Sequence, residues 1–268
     1  MIRLIAPFVG LFFTLSVLAA FVVGAYTQIT DPPAATVEHE FHKEPKKISL
    51  SSDGPLGKFD RQQLQRGYQV YKEVCSACHS IKYVAFRDLH DLGYDEDQVK
   101  NEAATYQVPV VDANSEVTKR PGLPTDHFPP VVYGGQGTPP DLSLMAKARH
   151  GGASYIYSLL TGYQGQPKKL LEEFPDAKTP DGLHYNPYFA NLNLAMPQPL
   201  MDGQVTFADG SPNDLKSEAK DVAAFLVWTA EPTLEKRNQT GWWFLGFLLF
   251  ATVLGYLAYR NVWAGVKH

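Results

Sequence analysis

Two stretches of this chain are too apolar to be left in water, and they decide how the rest can be arranged. From Thr240 onward the sequence reads TGWWFLGFLLFATVLGYLAYRNVWAGVKH, with no charge between Gly241 and Tyr259. A helix of that length crosses a hydrocarbon layer about 30 Å thick. It is apolar on every face, whereas a helix on the side of a soluble core keeps a polar stripe. Trp242, Trp243 and Tyr259 stand at its ends, where amphipathic rings favour the headgroup level, and Arg260 and Lys267 follow it. The first residues, MIRLIAPFVGLFFTLSVLAAFVVGAYTQITDPP, hold Arg3 and then no charge before Asp31. Residues 1–26 therefore read as a membrane helix or a secretory signal. The apolar run, roughly 22 residues, exceeds the 7 to 15 of a usual signal core. Against that, Val23 and Ala25 are small residues at a cleavage spacing. Both readings export the body of the chain: Arg3 stays in the cytoplasm, the body lies outside it, the segment 239–260 anchors the chain, and 261–268 form a cytoplasmic tail.

The exported body is rich in loops, with 20 prolines and 21 glycines in the chain, and such loops often wrap something rigid. A net charge of -4 leaves no basic footprint for a nucleic acid. Residues 27–59 mix proline, serine and charge without helical or strand period and read as a linker or surface arm. His39 and His42 lie there without further ligands, so a solvated face is the expectation. The folded domain is expected over 60–238. In FDRQQLQRGYQVYKEV, Asp60 caps a helix that carries Leu64, Gly67, Tyr68, Tyr71 and Val74 on one side and leads into Cys75. PPDLSLMAKARHGG predicts a helix capped by Asp141, with Arg149 and His150 in its last turn and Gly151 as its stop. GASYIYSLLTGY predicts another helix, and PNDLKSEAKDVAAFLVWTAEP a longer one facing Val222, Phe225, Leu226 and Trp228 inward. GQVTFADGSP alternates like a small strand and turn.

Only two cysteines are present, in VYKEVCSACHSIKYV, with a histidine directly after the second. One disulfide across so short a loop would brace nothing large. A zinc site needs a second pair of ligands, and no second cysteine pair exists. A thioredoxin-like dithiol opens a helix after a strand, whereas here a helix precedes the motif. Cys-x-x-Cys-His is the attachment pattern of a c-type haem. Cys75 and Cys78 are placed to add across the two haem vinyl groups as thioethers, and the His79 imidazole to reach iron as an axial ligand.

The opposite axial position is either open or filled. Met145 falls on the predicted helix face and reads as core packing. Met196 lies in NLNLAMPQPLMDG, where Pro197 and Pro199 forbid a helix and hold an extended loop able to lay a thioether over a haem. Met196 is the first candidate and Met201 the second. His90, His127, His150 and His184 read as surface or helix-end residues. Thioether ligation raises the reduction potential and fills the coordination sphere, which suits outer-sphere electron transfer.

Gly67 and Tyr71, a glycine and an aromatic four residues apart before the motif, resemble the class I cytochrome c family. That resemblance implies that the helix bearing Phe225 and Trp228 crosses at Gly67, which has no Cβ to keep it away. RPG at 120–122, PPDLSLMAKARHGG, YIYSLLTGY, AMPQPL, DVAAFLVWTAEP and the C-terminal anchor, in that order, resemble the cytochrome c1 family. These subunits belong to quinol:cytochrome c reductases, the bc1 complexes, and the likeness runs over about residues 55–265. It implies a mainly α, class I cytochrome c-like haem domain with long loop insertions and a C-terminal transmembrane helix, with a second membrane helix if residues 1–26 are retained. It implies one covalent haem c ligated by His79 and Met196, with Arg120 near a haem propionate. The partners it implies are cytochrome b, a Rieske iron-sulfur protein as donor, a cytochrome c as acceptor, and lipid. It places the chain in a bacterial inner membrane with the haem domain in the periplasm. Two departures stand out. Some bacterial relatives carry a further cysteine pair bracing the ligand loop, which this chain lacks, so something else must stiffen that loop. The N-terminal apolar run is also longer than a typical cleaved signal.

By itself the chain is expected to make or break no bond, serving as a redox subunit. The acidic clusters DLGYDEDQ at 91–98 and LEEFPD at 171–176 are candidate steering surfaces for a basic cytochrome c. A membrane-anchored cytochrome c subunit of a terminal oxidase would share the haem motif and anchor but lack PPDLS and AMPQPL. A haem-based gas sensor would leave the sixth position open.

Overall fold

The computed structural model describes residues 2–32, 34–111, 116–135 and 137–266, with side chains from residue 5 onward. The Arg3 side chain and Lys267, both of which bear on the orientation of the chain, lie outside the described residues. Met1–His42 and Lys43–His268 are two separate units.

In the first unit, helix α1 (Ile2–Thr30) is long and apolar enough to cross a bilayer. Its hydroxyls turn inward onto the helix: Thr14 Oγ1 donates to Gly10 O at 2.9 Å and Ser16 Oγ to Phe12 O at 2.8 Å. That pairing hides the polar groups which a lipid environment would not satisfy. One turn, α2 (Val37–Phe41), comes next where no period is evident in the sequence, capped by Thr36, whose side chain accepts from His39 N at 3.3 Å. His39 and its ion-pair partner Glu40 are both exposed.

The second unit is built on helix α3 (Arg61–Glu73) crossing helix α8 (Leu215–Ala230). Helix α3 starts as the sequence predicts, and α8 starts in the same way. Asp60 Oδ1 accepts from the backbone N–H groups of Gln62 and Gln63, and Asp214 Oδ1 accepts from Lys216 and Ser217, relieving donors that have no partner in a first turn. The crossing falls at Gly67, where a Cβ would run into the carbonyl of Asp221 and come within 2.7 Å of Phe225 Cβ. Beside it, Asp221, itself buried, accepts from Gln63 Nε2 at 2.9 Å and Arg66 Nε at 2.7 Å, while Arg66 also reaches Asp209 at 3.2 Å. Around this pair an aromatic core forms from Tyr68, Tyr71, Phe86, Phe128, Phe225 and Trp228, with ring centroids 4.4–6.5 Å apart between contacting members.

Further elements follow along the chain: α4 (Glu96–Ala104), α5 (Met145–Ala148), α6 (Gly152–Leu160) and α7 (Lys168–Glu173). Of these, α4, α5 and α6 contribute to this core. Two antiparallel ribbons pair β1 (Gln107–Val111) with β2 (Val117–Pro121) and β3 (His184–Tyr185) with β4 (Asn193–Leu194). In the first ribbon Val108 lies opposite Arg120.

Two local expectations fail. The helix predicted from Asp141 is a single turn, α5, because the Asp141 carboxylate is used otherwise: Oδ1 accepts from Ser143 N at 3.0 Å and Oδ2 from Lys82 N at 2.9 Å. The turn ends at Ala148, so Arg149, which is extended, and His150 lie beyond it rather than in a last turn, and Gly151, at φ +83°, precedes α6 instead of stopping α5. In GQVTFADGSP, Val205 and Phe207 alternate inward, but no strand forms. The backbone is satisfied by side chains instead: Val205 N donates to Glu218 Oε1 at 2.8 Å and Asn213 Nδ2 donates to Val205 O at 3.1 Å.

Helix α9 (Leu234–Trp263) leaves the domain through Glu231. That carboxylate accepts from Lys147 Nζ at 2.8 Å and from Arg237, joining α5, the end of α8 and the start of α9. Leu234 is buried; beyond it the apolar side chains face outward on all sides. Thr252 Oγ1 donates back to Leu248 O at 2.7 Å, as the hydroxyls do in α1.

Candidate haem site

The two thiols and the imidazole come directly after the end of α3. Val74 closes that helix, and a tight turn over Cys75–Ala77 brings Cys78 N to 3.1 Å and His79 N to 2.8 Å from Cys75 O. Both thiols are free, and burial pushes the Cys75 thiol up to about 12, with Cys78 adding to the rise. The turn therefore presents Cys75 as a neutral thiol rather than a thiolate.

His79 is oriented from behind. Its Nδ1 lies 2.7 Å from Pro140 O, and a carbonyl can only accept, so Nδ1 carries the proton and Nε2 is left with its lone pair. The backbone of His79 is fixed as well, its carbonyl accepting from Tyr71 OH at 3.0 Å. The next residues are laced to the PPDLS segment. Leu142 N donates to Ser80 O at 2.8 Å, Lys82 N donates to Asp141 Oδ2, and Tyr83 N donates to Ser143 Oγ at 3.1 Å. Ser80 Oγ donates to Pro129 O at 2.9 Å, so both ends of the loop 129–140 are pinned beside the imidazole.

Met196 lies in an irregular segment after β4, half-buried, and packs against the same hydrophobic core as Cys75 and Met145. Its carbonyl accepts from Tyr163 OH at 3.0 Å. Met201 is 60% exposed. His90, His127, His150 and His184 are all exposed, and His90 Nδ1 is already engaged with Tyr94 O at 2.8 Å.

A model of the Cytochrome C1 family matches residues 50–266. The chain belongs to the cytochrome c1 family. It is 41% identical over 245 residues to cytochrome c1 of Rhodospirillum rubrum, covering 83% of this chain and 88% of that one. It is 40% identical over 258 residues to cytochrome c1 of Cereibacter sphaeroides, covering 82% and 87%. Cytochrome b/c1 of Bradyrhizobium diazoefficiens is 39% identical over 250 residues, which make up 84% of this chain and 36% of that longer protein. The family and the mainly helical fold are those expected of the motif set.

A c-type haem fits the residues present. Two thiols not tied to each other, an imidazole with Nε2 free and a half-buried thioether are the donors such a group takes. Among the described residues no cluster of three or more His, Cys, Asp or Glu could hold a bare metal ion. The buried Trp228 Nε1 has no acceptor among the described residues, although it belongs to the core against which Cys75 and Met196 pack. An indole N–H left in that position calls for an acceptor brought by something else.

Arg120 sits on β2 with its guanidinium bidentate on Asp126, at 2.6 and 2.9 Å. That contact holds the Asp126 carboxyl below its ordinary range, and the same carboxylate accepts from Leu123 N at 2.7 Å. The pair closes the turn after RPG. Sequence reasoning assigned no role to Tyr163, Pro140 or Asp126. The signal for Tyr163 was available, since it ends YIYSLLTGY, but a hydroxyl reaching 33 positions down the chain leaves no local pattern.

Proposed function

We propose that this chain is the electron-transfer subunit of a bc1 complex, taking single electrons from a Rieske iron-sulfur protein and delivering them to a cytochrome c. A single haem c, held through Cys75 and Cys78 and ligated by His79 and Met196, supplies the one-electron chemistry when bound. Every other contribution is made by the chain. Pro140 keeps the His79 proton on Nδ1 and so keeps Nε2 a ligand; this is the observation that carries the reading. Tyr163 holds Met196, together with Pro197 and Pro199 just after it in the loop. The aromatic core excludes water, which lowers the reorganisation that accompanies a change of charge. Arg120, its guanidinium held by Asp126, is the side chain that would stand near a propionate.

The name cytochrome b/c1 of one relative, in which the two proteins share a polypeptide, supports cytochrome b as a partner in the membrane. We place the folded domain, 60–238, in the periplasm of a bacterium. The segment 239–260 is the anchor, 261–268 the cytoplasmic tail, residues 1–26 a membrane helix or signal, and 27–59 the arm between. The acidic stretch at 91–98 includes the exposed side chains Glu96 and Asp97, which support steering of a basic cytochrome c.

The reduced protein tests this reading. A filled coordination sphere predicts no carbon monoxide binding at neutral pH and a covalent mass increase of one haem on the intact chain. Ready binding would favour a gas-binding protein over an electron carrier.

A further inference from the structure

Helix α9 meets a second element where it leaves the folded domain. Trp242, at the first turn of the uncharged run, donates from Nε1 to Pro55 O at 3.2 Å. About two turns nearer the start of the helix, Glu235 Oε1 accepts from Phe59 N at 2.8 Å. These two bonds clamp the turn Gly54–Lys58 against the helix, leaving between them a cleft of about 70 Å³ lined in part by Leu56, Lys58, Asn238 and Trp242.

The turn is stiff. Gly54 takes φ +79°, Gly57 N donates to Gly54 O at 3.2 Å, Lys58 N donates to Ser51 O at 2.9 Å, and a Cβ on Gly57 would strike the backbone of Ser52 and Asp53. Yet its tip, Leu56, is 76% exposed, beside the half-exposed Trp242. Lys58 and Lys236 are exposed as well and form no ion pair among the described residues.

We propose that the turn Gly54–Lys58 is a shallow second membrane contact, in which Leu56 enters the headgroup–acyl boundary of a lipid leaflet and Lys58 meets lipid phosphate. The depth is set by Trp242. An indole at the end of a membrane-spanning run sits at the headgroup level, and its bond to Pro55 brings the tip of the turn to that level too. The arrangement of an apolar tip, an indole and a neighbouring ammonium matches that layer, where long cations reach phosphate while apolar groups go below it. The patch continues the outward-facing apolar surface of α9 rather than forming a separate groove. Two attachments, one deep and one shallow, would then fix the tilt of the domain over the membrane. This inference rests on α9 being the membrane anchor of the proposed function.

The test places one nitroxide label at a time, on Leu56→Cys or on Leu249→Cys, in the haem-loaded complex reconstituted into phosphatidylcholine–phosphatidylglycerol vesicles. Collision rates with oxygen and with a water-soluble nickel chelate report depth, with the free label in buffer as the aqueous reference and the unsubstituted chain as the labelling blank. Leu249 should read deep in hydrocarbon, and Leu56 should read between Leu249 and water. Adding Lys58→Gln should move Leu56 toward the aqueous value. A fully aqueous Leu56 beside a deep Leu249 would overturn the proposal and leave the anchor standing; a label at Leu56 shielded from both reagents would overturn it too, by assigning the turn to a neighbouring subunit; and an aqueous Leu249 would overturn both readings.

Discussion

The hydroxyl of Tyr163 donates to the backbone carbonyl of Met196 at 3.0 Å, tying the end of the α6 segment to the loop that carries the proposed sixth ligand. The two residues are brought together by a buried Asn186, whose Nδ2 donates to Leu159 O at 2.8 Å and whose Oδ1 accepts from Tyr188 N at 3.1 Å. Gly162 allows the approach, because a Cβ there would fall 2.5 Å from the Tyr188 ring. The turn is drawn tight enough to hold Leu192 at φ +63°, a conformation that a leucine adopts only under constraint. This hydrogen-bonded brace is what the chain offers in place of a disulfide near the ligand loop.

Tyr163→Phe should therefore loosen that loop without emptying the core. Burial pushes the phenol well above its ordinary range, so the hydroxyl is a donor throughout the physiological span, and its loss removes one hydrogen bond worth about 1 kcal/mol. In denaturant titration the haem-loaded domain should unfold with a stability lower by about that amount. A redox titration should show the potential falling as well, since a less firmly held thioether favours the ferrous form less. An unchanged potential with reduced stability would make Tyr163 a packing residue only.

Gly67→Ala should be far more damaging than a helix substitution normally is. Alanine ordinarily stabilises a helix by about 1 kcal/mol over glycine. Here its methyl group would meet the Asp221 carbonyl and Phe225 Cβ, backbone and core atoms that cannot yield. The cost should reach several kcal/mol, at or above the roughly 1 to 3 typical of overpacking. Thermal melts and the yield of haem-loaded protein would register it, and a melt equal to the parent's would contradict the close crossing.

Glu218 makes a pH prediction of definite sign. It is fully buried on α8; Oε1 accepts from Val205 N, and Oε2 has no partner among the described residues. Burial, then Asp214, Asp202 and Glu73, raise its pKa, while the bond from Val205 N opposes the rise. A carboxyl with a raised folded pKa favours the fold fully below its unfolded value, near 4.3. That contribution is lost as pH rises through the higher folded value. Glu218→Gln keeps an acceptor for Val205 N and removes the charge. Its melting temperature should exceed the parent's at pH 7, and the two should converge as pH falls below about 4.

What was legible in the sequence divides by range. Asp60, as a cap, states where α3 begins, and CSACH states its chemistry within five positions, because each of these depends on neighbours along the chain. Gly67 was legible through likeness to a family, and the structure supplies the steric reason. The reading failed where a local pattern was satisfied from far away. Asp141 has the look of a helix cap, but Lys82 N, 59 positions upstream, takes one of its oxygens. Val205 and Phe207 alternate like a strand, but Glu218 and Asn213 take the place of a partner strand. The ribbon of β1 and β2 was missed because Pro109 lies inside one strand and most of its side chains face outward, leaving little alternation of burial to detect.

The two methionines of the AMPQPLMDG loop can be separated by substitution. Met196 is half-buried against the core that holds Cys75, with its carbonyl fixed by Tyr163, whereas Met201 is 60% exposed. Met196→Leu conserves volume and apolar character, so the fold should survive at a cost below about 1.5 kcal/mol. It removes the sulfur, and the reduction potential should fall by on the order of 0.1 V or more, a fraction of the roughly 0.8 V that axial ligation commands. The reduced variant should also gain carbon monoxide binding, because the sixth position is then open. Met201→Leu should leave potential, spectrum and carbon monoxide response at the parent values, since its side chain points to solvent. If instead Met201→Leu lowered the potential and Met196→Leu did not, the ligand would be Met201, and the bond from Tyr163 would be holding a loop with no part in ligation.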